Sequence, residues 1–178
     1  AATGVYTLSL LGALPILRRT VLIGPALVGA ASAVGAAANL VGNLSAGRLL
    51  QRGWSAARCL QIGFGGMAVC ALLAFVQWNG EALLPLAARF AVIVLFSAIG
   101  GLIPATLFTT AVRLAPDAST VSTTVGFMQQ LSCVGQFAGP PLIAALASIV
   151  GGWQWTGGLL ALLCVCGGAL AWAVGKRS

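Results

Sequence analysis

Leu83 to Val112 reads LLPLAARFAVIVLFSAIGGLIPATLFTTAV, about 30 residues with Arg89 as the sole charge. A helix of that length extends ~45 Å, against the ~30 Å hydrocarbon core of a bilayer. The run is too long for a barrel strand and lacks alternation of apolar and polar residues. It reads as a membrane-crossing helix that must tilt, bend or project beyond the core. Gly100, Gly101 and Pro104 supply the means to bend.

The same pattern repeats on either side. Apolar runs cover residues 1–17, 24–50, 59–78, 119–150 and 153–174, and the last-but-one carries a second candidate bend at Gly139 and Pro140. Charges fall mostly between the runs. The 178 residues hold nine Lys and Arg, two acids and no histidine, and 60% are apolar before glycine is counted. A soluble domain needs far more polar surface. The fold class expected is therefore all-α, a polytopic transmembrane bundle of six spans at ~20 residues or more each. The first run is short, and Ala1-Ala2-Thr3-Gly4 has neither the basic region nor the cleavage pattern of a signal peptide. The chain is thus expected to be a fragment of a longer one.

Arginine placement sets the orientation. With six spans, one side receives Arg52, Arg58, Arg113, Lys176 and Arg177, with Arg48 at a helix end facing it. The other side receives Arg18 and Arg19, so the C-terminus is expected in the cytoplasm. Trp54, Trp78, Trp153, Trp155 and Trp172 all sit at span ends, where indoles favour the interface. The basic residues form no patch with interleaved aromatics, so no nucleic-acid partner is expected.

Enzyme chemistry and metal binding are not expected. Glu81 and Asp117 lie in loops on opposite sides, and no nucleophile–base pair exists. The five cysteines form no CxxC pair and read as apolar packing residues, so neither a metal nor a cofactor is called for.

The polar content is patterned. In run 24–50 the ladder Ala31, Gly35, Asn39, Asn43 and Gly47 repeats every four residues. It suits either close helix packing or an Asn39 that faces a polar cavity. In run 119–150, Ser122, Gly126, Gln129, Cys133 and Gln136 share about a quarter of the circumference. Gln129 and Gln136 must find partners or water there, as packing groups or as a cavity wall. Arg89, Ser97, Gly100 and Pro104 share one side of run 83–112. Arg89 either snorkels to the outer interface or holds a small organic or inorganic anion.

The stretch Gly47-Arg48-Leu49-Leu50-Gln51-Arg52-Gly53-Trp54-Ser55-Ala56-Ala57-Arg58 carries the most specific local signal. With Gly47, Arg48, Arg52 and Arg58 it resembles the signature loop of the major facilitator superfamily, which follows the second helix of each six-helix half. Gln51 stands where the family has an acid, and the usual paired basic residues shrink to Arg58. Gly101 to Phe108, Gly126 to Gln130 and Gly135 to Pro141 resemble the fourth and fifth helices of a C-terminal half. The phrasing is nearest to the cyanate and nitroimidazole transporter-like branch.

The resemblance implies two six-helix bundles, with this chain as the C-terminal one and a missing N-terminal half as its partner. It implies secondary active transport of a small solute by alternating access, in a bilayer expected to be the bacterial inner membrane. Family substrate sites fall, by position, near Tyr6, Arg89 and Gln129; Tyr6, Thr7 and Ser9 form a small polar set suited to a cavity wall. The alternative is a non-transporting six-helix interaction module. A transporter half would place Tyr6, Asn39 and Gln129 on one concave face; a packing module would bury them pairwise between neighbouring helices.

Overall fold

The computed structural model describes residues 25–78, 81–151 and 155–175. The run at 1–17, with Tyr6, lies outside the described residues. Among the described residues the α-helices are α1 (Pro25–Gln51), α2 (Ala56–Phe75), α3 (Leu86–Gly100), α4 (Leu102–Leu114), α5 (Val121–Val150) and α6 (Thr156–Gly175). A single 3-10 turn, Ala118–Thr120, leads into α5.

Four segments of the described chain are long and apolar enough to cross a membrane: Ala56–Phe75, Leu86–Arg113, Ala118–Val150 and Thr156–Ala173. The second of these joins α3 and α4 into one 28-residue span interrupted at Gly101. α1 is 27 residues long but richer in Ala, Gly and Asn. Against the six spans expected, the described residues thus hold four such segments and α1.

Both boundaries of the third run differ from the sequence expectation. From sequence the third helix runs over 59–78; in the structure it begins at Ala56, capped by the Ser55 hydroxyl, and ends at Phe75. Val76 turns to an extended conformation (φ −61°, ψ 132°), and Gln77–Trp78 (β1) pairs antiparallel with Glu81–Ala82 (β2). Strands are excluded as spans, but this hairpin lies outside them, where the backbone needs partners other than a helix. The Leu83 amide adds one more rung by donating to the Val76 carbonyl at 3.2 Å.

α2 is the centre of packing, with α6, α3 and α4 against it. Leu60, Met67, Ala74, Phe96, Ile103 and Leu160 belong to the buried cluster. α5 stands in contrast, with Phe137 87% and Ile149 82% exposed. Side chains that apolar, exposed along a whole helix, require hydrocarbon as the surrounding solvent.

The small-residue seam of α1 also departs from the ladder read in the sequence. Gly35, Gly42, Ala46 and Leu50 are buried, with Asn39 half-buried among them. Gly47 has open space where a Cβ would go. A strict four-residue step rotates about 40° per repeat around a helix of 3.6 residues per turn, so it winds off any straight contact. The real seam mixes steps of four and three.

Candidate functional site

α1 crosses the α3–α4 junction at Gly42 and Gly101. A Cβ built on Gly42 would overlap the Ala98 carbonyl oxygen, and one on Gly101 would overlap the Asn39 carbonyl oxygen. Backbones this close exclude water, so their polar groups must be satisfied by protein. Asn39 Nδ2 donates to the Ser97 carbonyl at 3.2 Å. Asn43 Nδ2 donates to Asn39 Oδ1 at 2.9 Å and to the Asn39 carbonyl at 3.1 Å. The Gly101 amide donates to the same Ser97 carbonyl at 3.1 Å, so that oxygen accepts twice.

The interruption has a local cause. Pro104 has no N–H, and its ring crowds the carbonyl of Gly100, four residues earlier. Gly101 keeps helical angles (φ −57°, ψ −23°), so the span is interrupted without being ended. Beyond it, the hydroxyls of α4 satisfy themselves on the preceding turn: Thr106 on Leu102 (2.6 Å), Thr109 on Ala105 (2.8 Å) and Thr110 on Thr106 (2.7 Å). Ser97 does not do so. It is 0% exposed, and its Oγ has no hydrogen-bond partner among the described residues.

Arg89 lies in the first turn of α3, and its Nε donates to the Ala74 carbonyl at 3.0 Å. Ala74 belongs to the last turn of α2, whose carbonyls have no partner within their own helix. The guanidinium thus sits at the negative end of the α2 dipole. It is separated by two helical turns from Ser97, so Arg89 and the Asn39 cluster are distinct places in the fold.

On α5, Gln129 is exposed and its amide approaches the Cys133 thiol at 3.7 Å. Gln136 is half-buried and donates to Ser132 Oγ at 3.2 Å. Ser132 lines an apolar cavity of about 660 Å³ between α5 and the packed helices, whose walls include Phe64, Ile103, Gly139 and Cys164. Pro140 and Pro141 lie inside α5, which is helical without interruption from Val121 to Val150. Their missing N–H groups leave the Gln136 and Phe137 carbonyls without their usual helical donors. Asn39 and Gln129 have separate hydrogen-bond partners, and Tyr6 lies outside the described residues.

The loop from Gly47 to Arg58 is a compact helix-to-helix connection. α1 ends with the Trp54 amide donating to the Leu49 carbonyl and the Gly53 amide to the Leu50 carbonyl, both at 3.1 Å. Gly53 is left-handed at φ 85°. This is a Schellman closure, which favours glycine at that position. Ser55 then accepts from the Arg58 amide at 3.3 Å and starts α2. Arg48, Arg52 and Arg58 are all exposed at this end of the bundle.

Two participants were not singled out from sequence. Gly42, three residues after Asn39, makes the closest backbone approach. Ser132, four residues before Gln136, holds that amide. The three- and four-residue spacing to a polar neighbour was the available signal in each case.

These features define an integral membrane protein built of packed transmembrane helices. The family model of the Major Facilitator Superfamily matches residues 1–178, and the chain belongs to that family. Its members are secondary transporters, which makes this a membrane transport protein rather than an enzyme by family. Neither a curated protein nor a solved structure matches the chain.

Proposed function

We propose that the chain forms one six-span half of a secondary active transporter that carries a small solute by alternating access against a second six-helix bundle. The observation that carries this reading is Gln129, exposed on a membrane helix with, among the described residues, the Cys133 thiol as its one hydrogen-bond partner. An amide facing hydrocarbon is costly. That face of α5 therefore meets water or another bundle, as a transport path between two halves would require. In a self-contained interaction module the same amide would be buried against a neighbour.

The finer reading takes Tyr6, Asn39, Arg89, Gln129 and Gln136 as candidate substrate contacts, and a small anion as the solute. Arg89 is the support for an anion, since its Nε is tied to Ala74 while the rest of the planar fork is suited to bidentate recognition. The cyanate and nitroimidazole transporter-like branch rests on the phrasing of the fourth to sixth runs and would suit an anion. Arginine asymmetry supports a cytoplasmic C-terminus, and the bacterial inner membrane is the setting proposed.

The test is uptake into proteoliposomes holding this chain together with a second six-helix bundle, using a panel of small labelled anions and neutral solutes. Saturable uptake above that of empty vesicles is expected. Its absence across the panel with both bundles present would remove the transport reading. Robust uptake by this chain alone as a monomer would remove the second bundle from it.

A further inference from the structure

At ~100° per residue, α5 divides into three sides around its axis. Ser132, Gly139 and Ile143 share the side that faces the apolar cavity and the packed helices. Phe127, Leu131, Val134 and Ile149 share a second side and are strongly exposed, which suits hydrocarbon. The third side, about 120° wide, holds Ser122, Gln129, Gln130, Cys133, Gln136 and Ser148, with Phe137 among them. All three glutamines of α5 are therefore on it. The backbone adds an acceptor to the same side. In a helix the Phe137 carbonyl would accept from residue 141, or from residue 140 in a tightened turn. Both are prolines, and neither has an N–H. The next amide, that of Leu142, belongs by helical geometry to Ala138. Nearby polar side chains are engaged elsewhere: Gln136 on Ser132 Oγ, Ser148 on the Ala145 carbonyl and Gln129 on the Cys133 thiol. Phe137 lies near the middle of the 30-residue helix and is 87% exposed. An unpaired carbonyl is costly in hydrocarbon, so this side of α5 meets a donor.

We infer that the Phe137 carbonyl, released by Pro140 and Pro141, is a solute-binding acceptor, and that the solute presents an N–H or O–H group to it. The inference rests on the transport reading above and narrows its substrate class. A solute path fits this side better than a packed helix does. Gln129 and Gln130 are neighbours whose exposed side chains diverge by ~100°. One packed helix is too narrow to cover both, whereas a water-filled path wets both. The position also suits solute, since transporters bind near the bilayer midplane and use backbone groups freed from helical pairing. α5 carries no charged side chain, so the contact joins a neutral dipole to a donor. A carbonyl oxygen repels a bare anion. An anionic solute is held here through a hydroxyl, amide or amine group of its own.

Pro141→Ala withdraws the acceptor without deleting it. The alanine N–H closes on the Phe137 oxygen, and the helix is strengthened at the same time. The full chain is reconstituted in proteoliposomes with a second six-helix bundle. Labelled solutes are offered in matched pairs: lactate against its O-methyl ether, and acetamide against its N,N-dimethyl derivative. The unmodified chain is expected to take up the donor-bearing member of a pair with the lower KM. Pro141→Ala should raise that KM by about three- to tenfold, the worth of one neutral hydrogen bond, and should raise the melting temperature. A proline of structural importance alone would change the melting temperature and leave the preference intact. That result would overturn the inference, as would equal KM values within each pair for the unmodified chain. A second measurement needs no solute. With the five native cysteines replaced by alanine, Gln130→Cys and Ala144→Cys should react with a charged, water-soluble methanethiosulfonate, and Leu131→Cys should not. Protection of positions 130 and 144 would show a dry face and sink the acceptor site. Should both positions react while no member of either pair is taken up, the transport reading falls and takes the solute contact with it. Should uptake be saturable and indifferent to Pro141→Ala, the solute contact falls by itself.

Discussion

The guanidinium of Arg89, in the first turn of α3, holds the carbonyl of Ala74 in the last turn of α2, with Nε 3.0 Å from the oxygen. A cation at a helix C-terminus meets both an unpaired carbonyl and the negative end of the dipole. The contact ties the two ends of the β1–β2 hairpin together, since that hairpin is the only chain between α2 and α3. The residue that looked from sequence like an anion ligand or a snorkelling side chain thus has a third task.

Arg89→Leu is therefore expected to lower stability by about 1.5–3 kcal/mol, the range for a hydrogen bond to a charged group. Arg89→Lys should recover part of it, because an ammonium can also reach a carbonyl. Thermal unfolding in detergent measures both. Equal stability of Arg89→Leu and the unmodified chain would show that the contact is incidental.

Gly42→Ala and Gly47→Ala test the seam of α1 within one helix. A methyl at Gly42 meets the Ala98 carbonyl, a backbone atom that cannot rotate away, and is expected to cost about 1–3 kcal/mol. A methyl at Gly47 meets nothing within 4 Å and is expected to be neutral or to stabilise by up to ~1 kcal/mol through helix propensity. The order of the two melting temperatures checks this. A reversed order would return the contact to the four-residue ladder.

Gln129→Leu should lose little stability, less than the ~0.6 kcal/mol average of an interhelical membrane hydrogen bond, because the one contact given up among the described residues is the Cys133 thiol. Uptake is expected to fall tenfold or more if the amide lines the path, since a lost hydrogen bond to a charged ligand costs ~1.5–3 kcal/mol. Uptake normalised to detergent-stable protein is the readout. Unchanged uptake would take Gln129 out of the site.

The proposed topology makes a direct prediction for the tail. Arg177→Cys, on a cysteine-free background, should react with an impermeant maleimide from the cytoplasmic side and stay protected from the periplasmic side. Labelling from the periplasmic side of intact cells would invert the orientation.

Much of the architecture was legible because its causes are one-dimensional. The length of an apolar run against the thickness of a bilayer needs no tertiary contact, and neither does the exclusion of charge from the runs. The interruption near Gly100, Gly101 and Pro104 was legible because a missing N–H acts on its own helix. The Arg89–Ala74 contact was not, because the acceptor is a backbone carbonyl, which every residue carries and no sequence marks. The hairpin after Phe75 was likewise hidden inside a run whose apolar residues suit helix and strand alike.

By itself the sequence determined that this protein lives in a bilayer, that it is helical, where most of its helices turn back, and which family it resembles. Only the tertiary structure decided that Gly42 rather than Gly47 is the contact point of α1, that Asn39 reaches the Ser97 carbonyl, and that the Ser97 hydroxyl has no partner among the described residues. The physical reason is range. Solvent matching and backbone chemistry act along the chain and are written in composition and spacing. Which face of one helix meets which turn of another depends on how two helices cross, and residues 58 apart in sequence, as Asn39 and Ser97 are, carry no local mark of their meeting.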